Sequence, residues 1–211
     1  MEVRVFITHG TARPQYITQK QRDEHQNRWL DDLIAYLEKK IGARCRKFLW
    51  PGTISSPWKE SVIERCTEEL VEFFELGTHR KEGGPARAII AKSNGAQVVE
   101  NALDRLERTG HLLDFEVEIR LASPLRGSKE HANRFSRRFL LVSDRDLLYK
   151  VGRILLRPFF SKYDYEDPNQ YAIHFPLLNH NNFNHNCKVL LGKKTYDMYD
   201  IYARLLAGDR L

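Results

Sequence analysis

A serine, an acid and a histidine follow one another along this chain in an order that suits nucleophilic acyl transfer. The serine is Ser93, in RAIIAKSNGAQVVENAL (87–103), where an apolar run stops at Lys92-Ser93-Asn94-Gly95 and an amphipathic segment begins at once. The acid is Asp144 or Asp146 in VSDRDLL, and the histidine is His180 or His185 in LLNHNNFNHN. A serine hydroxyl is a poor nucleophile until a neighbouring imidazole removes its proton as it attacks. A carboxylate on the far side of that imidazole fixes its tautomer and stabilises its cationic form. Each role has a plainer competitor. Ser-Asn-Gly is also good turn chemistry, acids flanking Arg145 suit a solvated surface or a salt bridge, and an asparagine-rich loop suits a hydrogen-bonded structural histidine. His180, a short loop beyond the last predicted strand, is the choice for general base, with His185 as its rival.

Such groups need a scaffold that delivers distant loops to one place. VRVFIT at 3–8, KFLW at 47–50, ARAIIAK at 86–92, FEVEIRLA at 115–122, RFLLVS at 138–143 and QYAIHF at 170–175 read as strands, rich in β-branched and aromatic residues and ended by Gly, Pro or Ser. Apolar residues recur at helical spacing from about Asp23 to Lys39, along Trp58–Phe74, from Val98 to Leu106, and in YDMYDIYARLLAG at 196–208 with Gly208 as the stop. Ser55-Ser56-Pro57 is placed to cap the second of these helices, with Pro57 in its first turn. Strands alternating with helices predict a parallel sheet covered on both faces. In such sheets ligands bind beyond the carboxyl ends of the strands. Ser93, the two aspartates and the two histidines all fall in loops of that kind. The stretch LLYKVGRILLRPFF within 147–169 reads as a helix, a bent strand or a flap over a pocket, with Phe159 and Phe160 as lid residues in the last case and core residues otherwise.

Composition narrows the field. The 211 residues suit one domain with a sizeable core, and 34 Lys plus Arg against 28 Asp plus Glu give a net charge of +6. Charges of both signs are interspersed, so a specific nucleic-acid signature is missing. No run approaches the roughly 20 apolar residues of a membrane span, and MEVRVFITHG reads as an opening strand rather than a signal peptide. Cys45, Cys66 and Cys187 are odd in number and scattered, which predicts a reducing, cytoplasmic setting, with Cys66 in the core. His180, His185 and Cys187 do not have zinc spacing. LGKKT at 191–195 lacks a phosphate-binding loop, and FITHGTARPQ lacks the repeated glycines that cradle a dinucleotide.

The ordered pieces together resemble the α/β-hydrolase superfamily, as a small lipase- or esterase-like member, over nearly the whole chain. Ala91-Lys92-Ser93-Asn94-Gly95 resembles that family's nucleophile elbow, usually G-x-S-x-G; Ala91 departs from the pattern but keeps the position compact. FITHG resembles the first strand and the HG loop before the oxyanion site, FLWPG a strand-and-turn segment of several branches, and LASPLRG the strand after the nucleophile helix. SDRDLL resembles the acid loop, whose S-x-x-D-x-[LV] reading selects Asp146 over Asp144. The resemblance implies a three-layer α/β/α sandwich with a mostly parallel central sheet of minimal α/β-hydrolase type, as one domain over 1–211. It also implies a cofactor-independent Ser93–His180–Asp146 triad acting on a small-molecule acyl substrate. The oxyanion hole would be the backbone NH of Asn94 and that of Thr11, with Ala12 as the alternative to Thr11, while His9 is structural. The competing expectation is a non-catalytic scaffold that keeps the fold and binds through its basic surface.

Overall fold

A computed structural model describes residues 2–10, 18–53, 55–74, 86–111, 113–158 and 161–209, without the side chains of 19–23 and 25–26. The chain runs β1 (Val3–Thr8), α1 (Gln19–Ile41), β2 (Arg44–Phe48), α2 (Glu60–Phe74), β3 (Ala86–Lys92), α3 (Gly95–Arg108) and β4 (Phe115–Leu121). It continues through the short α4 (Lys129–Ala132), β5 (Phe135–Ser143), α5 (Leu147–Leu156), β6 (Gln170–Phe175), β7 (Lys188–Leu191), β8 (Lys194–Asp197) and α6 (Met198–Ala207). Six strands form one sheet in the order β2-β1-β3-β4-β5-β6, every pair parallel. The result is the three-layer α/β/α sandwich expected, an α/β-hydrolase-like arrangement with β3 near the centre.

The period-2 alternation of the strands sorts their side chains between the two helical layers. Val5, Ile7, Ala88, Ile90, Val117 and Ile119 pack on one face against Trp29, Leu30, Leu33 and Leu37 of α1 and Ile201, Tyr202 and Leu205 of α6. Phe6, Ile89 and Ala91 pack on the other against Cys66, Leu70 and Phe74 of α2 and Val98, Val99 and Ala102 of α3. Cys66 is therefore core, and burial pushes its thiol up, away from reactivity.

The boundaries move at several points. The second strand ends at Phe48 rather than Trp50, because Trp50 turns inward to stack on His9. Ser55 makes no side-chain cap: Ser56–Trp58 form a single 3₁₀ turn and α2 starts at Glu60. The closing helix starts at Met198 rather than Tyr196, because residues 188–197, of which the sequence reading weighs only LGKKT at 191–195 as a phosphate loop, form the antiparallel hairpin of β7 and β8, turning at Gly192 with φ +62°.

On the α3 side of β4 and β5 the alternating positions are charged rather than apolar. Glu118, Arg120 and Arg138 are buried there with Glu100 from α3, His131 from α4, and Asp167. Arg138 Nε donates to Glu118 Oε2 at 2.8 Å and its Nη1 to Asp167 Oδ2 at 3.3 Å. Arg120 donates to Glu100, and His131 Nδ1–H donates to Glu100 Oε2 at 2.6 Å. Gly127, at φ +127°, lays its backbone on the cluster where a Cβ would meet Arg138, Glu100 and Arg120. With His131 protonated, three carboxylates face three cations.

Burial pushes the Glu100 carboxyl up, but Arg120, the His131 hydrogen bond and Arg138 outweigh it and hold the group well below the usual range. Burial also lowers His131, and Glu100, Asp104 and Glu107 outweigh that, so its imidazole is raised. A lowered carboxyl stabilises above its ordinary pKa and loses that contribution as pH falls through the folded value. A raised histidine stabilises below its ordinary pKa and loses it as pH rises through the folded value. Glu100→Gln is expected to cost about 3–5 kcal/mol at neutral pH, since it strands buried guanidinium charge. Urea unfolding checks this, and the gap between variant and wild type should shrink as pH falls below the carboxylate range.

Candidate functional site

The parallel strands deliver their following loops to one edge of the sheet, and a ladder of contacts runs along that edge. Ser93 N–H donates to Leu121 O at the end of β4 (2.8 Å), and Ala122 N–H donates to Leu141 O of β5 (2.8 Å). Ser143, the last residue of β5, donates its hydroxyl to Leu178 O beyond β6. The loops after β3, β5 and β6 are thus tied together through their neighbours.

Ser93 sits between β3 and α3 with φ +49°. A residue with a Cβ pays roughly 1–2 kcal/mol to hold that left-handed conformation. Among the described residues only Ala122, across the ladder, shares it outside glycine. Two glycines make the corner possible. A Cβ on Gly95 would run into the carbonyl of His9, and one on Gly10 would lie 2.8 Å from Ser93 Cβ and 3.1 Å from Lys92 O. The loop after β1 therefore passes directly against the serine. Ser93 itself is half-buried, and Asn94 stands at the N-cap of α3, where the helix dipole favours negative charge.

His9 anchors that loop. Its Nδ1–H donates to Gly10 O at 2.7 Å, its Nε2 accepts Trp50 N–H at 3.0 Å, and its ring stacks on Trp50 at 4.9 Å between centroids. Burial, more than the nearby Lys92, brings its pKa down to about 4, so the ring stays neutral with both nitrogens committed. Thr11 and Ala12, the residues expected to supply the second oxyanion donor, lie outside the described residues.

Asp146 is buried and makes two bonds. Its Oδ1 accepts Tyr149 N–H at 2.9 Å, which caps α5, and its Oδ2 accepts His180 Nδ1–H at 2.8 Å. That second bond leaves Nε2 of the half-buried His180 as the basic nitrogen. The rivals stand apart from this pair. Asp144 is exposed, 3.8 Å from His174, and His185 is exposed with its backbone NH on Asn182 O. The structure brings Asp146 and His180 together and leaves the Ser93 hydroxyl outside their hydrogen bond. Ser143, the serine of the S-x-x-D-x-[LV] pattern, has a bracing role that motif reading did not assign. Its hydroxyl ties the histidine loop to the end of β5 and accepts Arg145 N–H at 3.3 Å, bracing the acid loop.

Among the described residues no group of three or more His, Cys, Asp or Glu could hold a metal ion, and no helix is long and apolar enough to cross a membrane. No family model and no curated protein matches the chain. Among solved structures, an uncharacterized protein from Bacillus cereus ATCC 10987, determined at 2.75 Å, superposes with a TM-score of 0.50 at 14% identity. The match covers 85% of this chain and 55% of that one, so this chain spans little more than half of its length. The likeness is one of fold alone: a mostly parallel α/β sheet flanked by helices.

Proposed function

We propose that the protein is a cofactor-independent serine hydrolase that cleaves a carboxylic ester, with thioesters and amides open to the same chemistry. Ser93 Oγ attacks the acyl carbon while His180 Nε2 takes its proton. Asp146 holds Nδ1–H and stabilises the imidazolium. The developing oxyanion is met by the backbone NH of Asn94 at the start of α3 and by a second donor from the loop after Gly10, assigned to Thr11. Collapse of the tetrahedral adduct breaks the bond to the leaving group, which departs with the proton from His180. Water, deprotonated by the same nitrogen, then hydrolyses the acyl-enzyme and restores Ser93.

The observation that carries this reading is the left-handed backbone of Ser93. The chain holds a serine in this costly conformation at the carboxyl edge of its sheet, with two glycines cleared around it, as a displayed nucleophile requires. The buried acid two strands along, orienting a histidine that follows the third, supports the same reading. The scaffold alternative draws on the Ser93 hydroxyl standing outside the Asp146–His180 bond, although such contacts commonly tighten only when substrate is bound.

Rapid mixing with p-nitrophenyl butyrate separates the two. Where deacylation is slower than acylation, a hydrolase with an acyl-enzyme releases a burst of about one p-nitrophenolate per chain before its steady rate, and where it is not, steady turnover lost in Ser93→Ala carries the same reading. Folded protein that shows neither burst nor turnover would support the scaffold.

A further inference from the structure

Helix α5 is built inside out. Of its ten residues none is buried, and its most apolar side chains face solvent: Leu147 is 69% exposed, Leu148 62%, Ile154 72% and Leu155 59%. These positions, with Val151, lie on one side of a 3.6-residue period. Tyr149, Gly152 and Leu156 lie on the other and are half-buried, with Gly152 against Pro124, where a Cβ would come within 3.0 Å of the ring. The helix is therefore seated on the protein by its small face and presents its greasy one.

The third side is basic. Lys150, Arg153 and Arg157 share one flank, and Arg145 precedes the helix; there is no Asp or Glu from 147 to 163. Arg153 and Arg157 pair with Asp164, at 3.3 and 2.9 Å, while Arg145 and Lys150 are exposed. The position of the helix is equally specific. Its N-cap is Asp146, the residue bonded to His180, and the exposed Leu177 lies three residues before that histidine.

We propose that α5 docks the protein onto an anionic lipid surface, with Leu147, Leu148, Val151, Ile154 and Leu155 entering the acyl boundary and the basic flank meeting lipid phosphates. An antiparallel two-fold contact between copies through this helix would instead set the basic flank near its own symmetry mate. An anionic bilayer satisfies the apolar and the cationic sides together. The docking stands on this surface alone.

Vesicle co-sedimentation of the whole chain tests the proposal, using phosphatidylcholine alone and phosphatidylcholine with roughly one third phosphatidylglycerol. The wild type should bind the anionic vesicles at least about tenfold more tightly, and high salt should weaken that binding. The double variant Leu148→Glu/Ile154→Glu should lose binding by about tenfold or more while its hydrolysis of soluble p-nitrophenyl butyrate is unchanged. Ser93→Ala should bind as the wild type does, so a failure of the catalytic reading leaves the docking result intact. The proposal is overturned if the wild type stays in the supernatant with both vesicles or if the double variant binds equally well. It is also overturned if the wild type is a dimer in buffer that the double variant reduces to a monomer without vesicle binding.

Discussion

Ser93→Ala is expected to lower kcat on a soluble acyl ester by about 10⁴-fold or more while leaving KM within a small factor. Alanine removes the atom that forms the acyl-enzyme and nothing that holds the corner: Gly10, Gly95 and the Ser93 N–H to Leu121 O bond do not depend on the hydroxyl. The backbone cost of φ +49° is also unchanged, because alanine keeps the Cβ. Thermal unfolding should therefore match the wild type within about 0.5 kcal/mol. Ser93→Gly sharpens the point by removing that Cβ from a left-handed residue. It should gain about 1 kcal/mol of stability while losing turnover, the signature of strain retained for function. Steady-state kinetics beside urea unfolding for both variants checks the pair, and measurable burst kinetics in either would contradict the role of Ser93.

The second large effect is that of Asp146→Asn, expected to cost about 10⁴-fold in kcat near neutral pH without unfolding the protein. The residue does two jobs through two oxygens, capping α5 with one and orienting His180 with the other. Asparagine is among the good N-cap residues, so its carbonyl can continue to accept Tyr149 N–H. Its amide NH₂ would then face His180 Nδ1, which must accept rather than donate. That places the imidazole proton on Nε2, the nitrogen that has to take the serine proton. Asp146→Ala removes the cap as well and should add a stability loss of about 1 kcal/mol. A merely structural Asp146 would show the stability loss in the alanine variant and no kinetic effect in the asparagine one.

The sandwich itself was legible because its signals are local and redundant. Apolar runs such as ARAIIAK, ended by Ser-Asn-Gly and followed at once by helical spacing, specify a strand, a sharp corner and a helix within twenty residues. The glycines at 10 and 95 carry part of the site in the same way, since each marks a place where backbones touch. What was not legible depends on direction and on distant partners. FEVEIRLA alternates as a half-exposed strand would, yet Glu118 and Arg120 are buried, because Glu100, His131, Arg138 and Asp167 arrive from other segments to neutralise them. The pattern of α5 leaves a helix, a bent strand and a flap open, and a helical period does not say which way its apolar face turns. That is decided by Gly152 on Pro124, a contact with no local trace. KVLLGKKTYD holds an ordinary hairpin alternation about Gly192, obscured by the likeness of its glycine and lysines to a phosphate loop. Ser143 stood in the S-x-x-D-x-[LV] pattern, but its hydroxyl's tie to Leu178 O, 35 residues on, has no local trace.

The central claim is that Ser93 is an activated nucleophile, and covalent labelling addresses it most directly. The wild-type protein is treated with a fluorophosphonate, with and without detergent, and the adduct is located by peptide mass spectrometry. The account predicts a single adduct on Ser93, lost in Ser93→Ala and slowed by orders of magnitude in His180→Ala. Folded protein that takes no label at Ser93 under either condition would contradict it.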